Sequence, residues 1–186
     1  MSQPLTAAPP ATFAPSVTTD VLRTDSLRTL LAYWRDKTRE RNGMLPARRD
    51  LRPDDMVGFL SCVSLINVYS NPRRFQFRLV GTGIVQQMGR ESTSQWVNEG
   101  LFADRASKVF GFFSIPVDTR GPAFAAGHYV VQPSNRVLQF ETVLAPLSSD
   151  GHGVDMLLGG LVGEPLQHGE VIRQFDYERV HPLLLD

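Results

Sequence analysis

The chain has 186 residues, 42% apolar and 20% charged, which fits one folded domain with tails and is too apolar for a disordered chain. Its 19 basic residues are offset by 19 acidic ones, so no net charge draws it to nucleic acid or to an anionic membrane. A single cysteine, Cys62, excludes an intramolecular disulfide and gives no sign of an oxidising compartment.

Residues 1–20 read as a disordered leader. They are rich in Ala, Pro and Thr and lack the basic and continuous apolar regions of a signal peptide. No segment approaches the roughly 20 apolar residues that span a bilayer. A cytoplasmic protein is expected. Order is expected to begin near Thr24 or Asp25, either of which can cap a helix. Leu27, Leu30, Leu31 and Trp34 follow at i, i+3, i+4 and i+7, one apolar stripe on a helix. Asn42-Gly43 supplies its stop. Pro53, followed by Asp54 and Asp55, predicts a second, short helix running to about Phe59 or Leu60.

Cys62 to Tyr69 is rich in β-formers. Ser70-Asn71-Pro72 is a turn signal, and Phe75 to Val80 alternates, with Phe75, Phe77 and Leu79 on one face. The pair predicts an antiparallel hairpin. Gly81-Thr82-Gly83 ends the strand. Ile84, Val85 and Met88 suit a short helix capped by Thr82 and closed by Gly89. Phe102, Ala106, Val109, Phe110 and Phe113 then recur at helical spacing, in a helix expected to end before Pro116.

Three strands follow. The first is Ala123 to Gln132, with a turn at Pro133-Ser134-Asn135. The second is Arg136 to Pro146, with Leu138, Phe140, Thr142 and Leu144 on one face. Asp150-Gly151 is a hairpin signal. The third, Val154 to Val162, is apolar on both faces, as a covered central strand is. From Glu164 on the signal is weak. Val171 to Val180 fits either a strand or a helix, Pro182 to Asp186 reads as a tail, and 164–186 is taken as a weakly structured extension. The order predicts an α+β domain over 21–163: a five-stranded antiparallel sheet with helices on one face and an N-terminal amphipathic helix.

The wording of several segments resembles a bacterial family of small, stand-alone PAS-domain proteins. The matching pieces are Leu31-Ala32-Tyr33-Trp34, Leu45-Pro46-Ala47-Arg48 and Phe77-Arg78-Leu79-Val80-Gly81-Thr82. Met88-Gly89-Arg90, Ala145-Pro146-Leu147-Ser148 and the strand from Asp155 to Leu161 complete the set. The resemblance covers about residues 26–163. After Gly89 the chain departs from the pattern, with Glu91 and Ser94 where an aspartate and a glycine are expected. The resemblance implies a concave sheet face, closed by helices, that can hold a small molecule. It also implies a signalling role through a partner protein, frequent self-association and no catalytic residues.

Cofactor chemistry finds little support. A haem-binding PAS module uses an axial histidine on the longer inner helix, and Phe102 to Phe113 holds none. His128, His152, His168 and His181 lie in unrelated segments without metal-ligand spacing. A flavin photosensor needs a cysteine on the inner helices, whereas Cys62 opens a strand, where a buried structural thiol is the ordinary explanation. No Gly-x-Ser-x-Gly elbow or complete phosphate loop is present. The interior is expected to gather Phe77, Leu79, Val85, Met88, Phe110, Phe113, Tyr129, Phe140, Thr142, Leu144, Met156 and Leu158. They form either a filled core or an apolar pocket with Tyr129 or Thr142 as polar anchor. The Leu27, Leu30, Leu31, Trp34 stripe packs either on its own sheet or against a second copy in a homodimer. The expected function is a PAS-type sensory or relay module binding an apolar or amphipathic small molecule. The alternative is a ligand-free interaction scaffold of the same fold.

Overall fold

The computed structural model describes residues 17–131, 136–165 and 176–184. The leader up to residue 16, the turn at 133–135 and His168 lie outside the described residues. In chain order the elements are β1 (Val17–Thr18), α1 (Asp25–Glu40), β2 (Val63–Ser70), β3 (Arg73–Val80) and α2 (Thr82–Met88). Then come α3 (Glu99–Phe102), α4 (Ala106–Thr119), β4 (Ala123–Val131), β5 (Arg136–Leu147), β6 (Met156–Pro165) and β7 (Asp176–Leu184).

The strands form one sheet in the order β1-β7-β4-β5-β6-β2-β3. The five expected strands are its contiguous run β4-β5-β6-β2-β3, every neighbouring pair antiparallel. Two more strands extend it. β7 pairs antiparallel with β4, and the short β1 pairs parallel with β7. The stretch from Pro182 to Leu184, expected as tail, is therefore sheet. Charged residues and Pro182 interrupt its alternation, which hides it from a reading by pattern.

α1 covers one face of the sheet. Leu27 and Leu30 are 0% exposed, Leu31 2% and Trp34 4%, so the whole stripe is consumed by packing within the chain. Of the two arrangements expected for these four residues, packing on the chain's own sheet is the one seen in the single chain. Gly160 on β6 makes the close approach possible, because a Cβ there would lie 2.7 Å from Leu30 and 2.8 Å from Leu27. The Trp34 indole donates to the Pro146 carbonyl at 2.8 Å. The start of α1 is held by Glu141, whose buried carboxylate accepts from the Arg23 and Thr24 amides and the Thr24 hydroxyl at 2.9–3.2 Å. The Thr24 side chain thus does not cap the helix itself. A carboxylate from the sheet satisfies amides at the positive helix end. At the other end Asn42 and Gly43 take φ of +55° and +83°, and the Gly43 amide closes on the Thr38 carbonyl at 2.9 Å.

The Pro53 segment forms a single 3₁₀ turn, Pro53–Met56, and a second follows at Leu60–Cys62; neither is an α-helix. β2 and β3 make the expected hairpin through a cis Asn71–Pro72 bond. Its register contains one irregularity: Leu65 faces Leu79, but the next residue, Ile66, faces Phe77. Arg78 is the extra residue of a β-bulge. Because side chains alternate with a period of two, the bulge puts Leu79 and Phe77 on opposite faces. Leu79 is 41% exposed as a result, against the expectation that it points inward.

Gly81 links β3 to α2 with φ −65°, a conformation open to any residue, so its glycine is required by space. A Cβ there would sit 2.4 Å from the Ser61 carbonyl oxygen and 2.7 Å from that of Val63. Backbone oxygens cannot swing aside as a side chain does. Gly81→Ala is therefore expected to cost about 1–3 kcal/mol, the usual range for overpacking, read as a lower denaturant midpoint. An unchanged midpoint would show that α2 does not enter so close to Ser61. Gly89 ends α2 in the left-handed conformation at φ +69°. α4 runs through Pro116 to Thr119 instead of stopping before the proline. Pro116 removes one helical N–H, and packing of its buried ring against the core offsets that loss. Among the described residues no helix is long and apolar enough to cross a membrane.

Candidate functional site

A cavity of about 80 Å³ lies between the concave sheet face and the helices α2, α3 and α4. Its sheet wall is Ser64 and Ile66 on β2, Phe77 and Val80 on β3, Phe140, Thr142 and Leu144 on β5, and Leu161 on β6. The helical wall supplies Ile84, Met88, Phe102, Val109, Phe112 and Phe113, and the loop after α2 adds Arg90 and Ser92. One water needs roughly 10–15 Å³, so this space is larger than a single water requires.

The aromatic wall interlocks edge to face. Phe77 meets Phe113 edge-on at 6.0 Å between ring centroids, and Phe113 meets Phe112 at 6.0 Å. Such edge-to-face pairs hold rings in place beyond simple burial. Val80, carried inward by the Arg78 bulge, occupies the place expected for Leu79.

Six of the expected pocket residues line this cavity: Phe77, Met88, Phe113, Phe140, Thr142 and Leu144. The other expectations fall elsewhere. Leu79 and Leu158 border an open groove on the opposite face of the sheet, beside Leu51, Met56 and Leu60. Phe110 is half-buried and packs its ring against Phe75 at 5.2 Å. Val85 and Met156 are half-buried and do not reach the cavity, and the Tyr129 side chain lies outside the described residues. Thr142, proposed as a polar anchor, donates its hydroxyl to the Gly160 carbonyl at 2.9 Å, so that proton is already committed.

The polar residues that the sequence reading missed are Ser64, Arg90 and Ser92. Ser64 was legible as an inward position, two residues before Ile66 on the same strand face. Arg90 follows the Gly89 helix stop, where nothing local says which way the chain turns. Its Nη1 donates to the Leu101 carbonyl at 2.7 Å, and the guanidinium lies 5.5 Å from the Phe102 ring centre. The loop from Arg90 to the start of α3 closes along the outer edge of β3. Ser94 donates to the Phe77 carbonyl at 2.7 Å, and Phe77 donates back to Gln95 at 3.0 Å. Ser94 takes φ +67°, the left-handed region that glycine prefers, which accounts for the glycine expected there from the resemblance. Glu91, in the expected aspartate position, accepts from the Thr93 amide at 2.7 Å.

Among the described residues no histidine or cysteine lines the cavity. Cys62 sits in the 3₁₀ turn before β2 and donates to the Phe59 carbonyl at 3.0 Å; burial pushes its thiol pKa up. A thiol held protonated is a poor nucleophile. Among the described residues no group of His, Cys, Asp or Glu could hold a metal ion. The adjacent Arg73 and Arg74 are engaged locally. Arg73 pairs with Asp118 at 2.7 Å, and Arg74 stacks 4.7 Å from the Trp96 ring.

A family model described as a PAS domain matches residues 22–162 of the chain. Neither a curated protein nor a solved structure matches it. The matched span begins at Leu22, just before α1, and ends within β6, so it takes in the cavity and both of its walls.

Proposed function

The chain belongs to the PAS-domain family, whose members are in general sensory or interaction modules, and from that premise we propose that this one binds a small apolar or amphipathic molecule in the interior cavity. The observation that carries the reading is the cavity itself: about 80 Å³ of space between the sheet and the helices, with aromatic walls and few polar groups. Proteins keep such space at a cost in packing energy, and a ligand that fills it recovers the lost contacts. The module works without catalysis, haem or flavin. It passes its state to a partner signalling protein in the cytoplasm, where a lone thiol such as Cys62 stays reduced. Self-association, which the family likeness implies, uses a face other than the buried stripe of α1.

The test is thermal unfolding of the full chain across a panel of small metabolites. A ligand that binds only the folded form adds about 2.7 kcal/mol of stability at a hundred times its dissociation constant. Leu144→Trp projects its added ring into the cavity and is expected to abolish the gain while the variant stays folded. No shift from any compound, in wild type or variant, would favour the ligand-free scaffold. The scaffold has its own support in the open groove around Leu60 and Leu79, which are 37% and 41% exposed beside Val57 at 76%.

A further inference from the structure

Among the described residues Arg90 is the only ionisable one lining the cavity. One of its terminal nitrogens is held by the Leu101 carbonyl, but its Nε is buried and has no hydrogen-bond acceptor among the described residues. None of the ion pairs among the described residues includes it. A buried donor on a charged group, left without acceptor or counter-charge, is costly, and native proteins seldom retain one without use. Ser64 shares the cavity wall and is 7% exposed, and no hydrogen bond of its hydroxyl is found among the described residues. Gly159 opposite makes room for that hydroxyl, since a Cβ at Gly159 would lie 2.4 Å from the Ser64 Oγ.

We infer that the cavity is built for a short-chain monocarboxylate, with its carboxylate on Arg90 and its apolar tail against Phe77, Phe113 and Leu144. The inference rests on the reading of the cavity as a ligand site. Chemistry sets the charge of the ligand. A guanidinium offers only donors, so it takes an acceptor and repels a cation, and a carboxylate matches its planar fork with two oxygens. The walls set the rest: a tail among phenylalanines must be apolar, which disfavours a second charge. Volume sets the length. An apolar cavity of about 150 Å³ takes benzene, so about 80 Å³ takes on the order of three or four non-hydrogen atoms inside the walls, with the headgroup at Arg90. Propionate is the natural probe, and propionamide is its neutral isostere.

The experiment is ligand-observed NMR titration of the full chain with propionate, propionamide and inorganic phosphate. Wild type is expected to bind propionate about tenfold or more tightly than propionamide, the usual worth of a charged hydrogen bond. Arg90→Gln is expected to erase that preference, and Arg90→Lys to keep part of it. If wild type binds propionate and propionamide equally, and Leu144→Trp loses both, the cavity is a ligand site and the carboxylate inference is wrong. Phosphate binding as tightly as propionate would mean a bare anion site and would overturn it too. If neither organic probe binds and no panel compound shifts the melting temperature, the ligand reading and the inference fall together. The wild-type comparison needs no variant, so a poorly folded Arg90→Gln would leave the result decisive.

Discussion

Phe75→Ala is expected to lower the unfolding free energy by about 3–5 kcal/mol, the range for deleting a buried phenylalanine ring. Phe75 is 0% exposed and meets Phe110 and Phe113 edge-on at 5.2 and 5.5 Å between ring centres. Its strand is the last in the sheet, so no further strand limits the damage. Only the loop that follows α2 covers it, with Val97 donating to the Phe75 carbonyl at 2.9 Å. Small domains hold only about 5–15 kcal/mol in all, so the variant is expected to sit near its unfolding threshold at physiological temperature. Leu79→Ala is the control. Its side chain is 41% exposed beyond the bulge, and its loss is expected to stay within about 0.5 kcal/mol. Denaturant titration of both variants checks the bulge directly. Equal losses would mean that Phe75 and Leu79 share a face and that the register is continuous through Arg78.

Trp34→Ala is expected to cost a further large amount, again about 3–5 kcal/mol, and for a reason that bears on association. Trp34 is 4% exposed and joins α1 to the sheet by packing and by its bond to the Pro146 carbonyl. Trp34→Phe separates the two contributions. It keeps most of the ring and removes the donor, leaving a buried carbonyl unpaired at about 1–3 kcal/mol. Removal of residues 1–40 is then expected to expose the α1-covered face of β5 and β6 and to give an aggregating or unfolded product. The stripe alone would equally permit a folded, monomeric remainder. Should Trp34→Ala leave the unfolding curve unchanged while shifting the sedimentation coefficient, α1 would be an assembly element and its docking within the chain would be wrong.

The periodic parts of this chain were open to a reading from sequence because their cause is local. Leu27, Leu30, Leu31 and Trp34 recur at helical spacing whatever they face, and so do Ala106, Val109 and Phe113. Leu138, Phe140, Thr142 and Leu144 alternate because a strand has two faces. Gly89 stops α2 because few other residues accept a positive φ. Those signals determined the element order, the PAS-like architecture and an aromatic interior. Only the tertiary structure decided what each face meets. Whether α1 covers its own sheet or a second copy depends on Gly160, 120 or more residues from the stripe. The bulge at Arg78 exists only in pairing with β2, so the sequence alternation carried Leu79 inward where the structure carries Val80. β7 became visible only once β4 offered it an edge. Arg90 and Ser64 reach the cavity from a loop and a strand far apart in sequence, and whether the Arg90 Nε finds an acceptor depends on every neighbour at once. Local spacing encodes the direction of a side chain along its own element; the partner that satisfies it, or fails to, is set by distant segments brought together by folding.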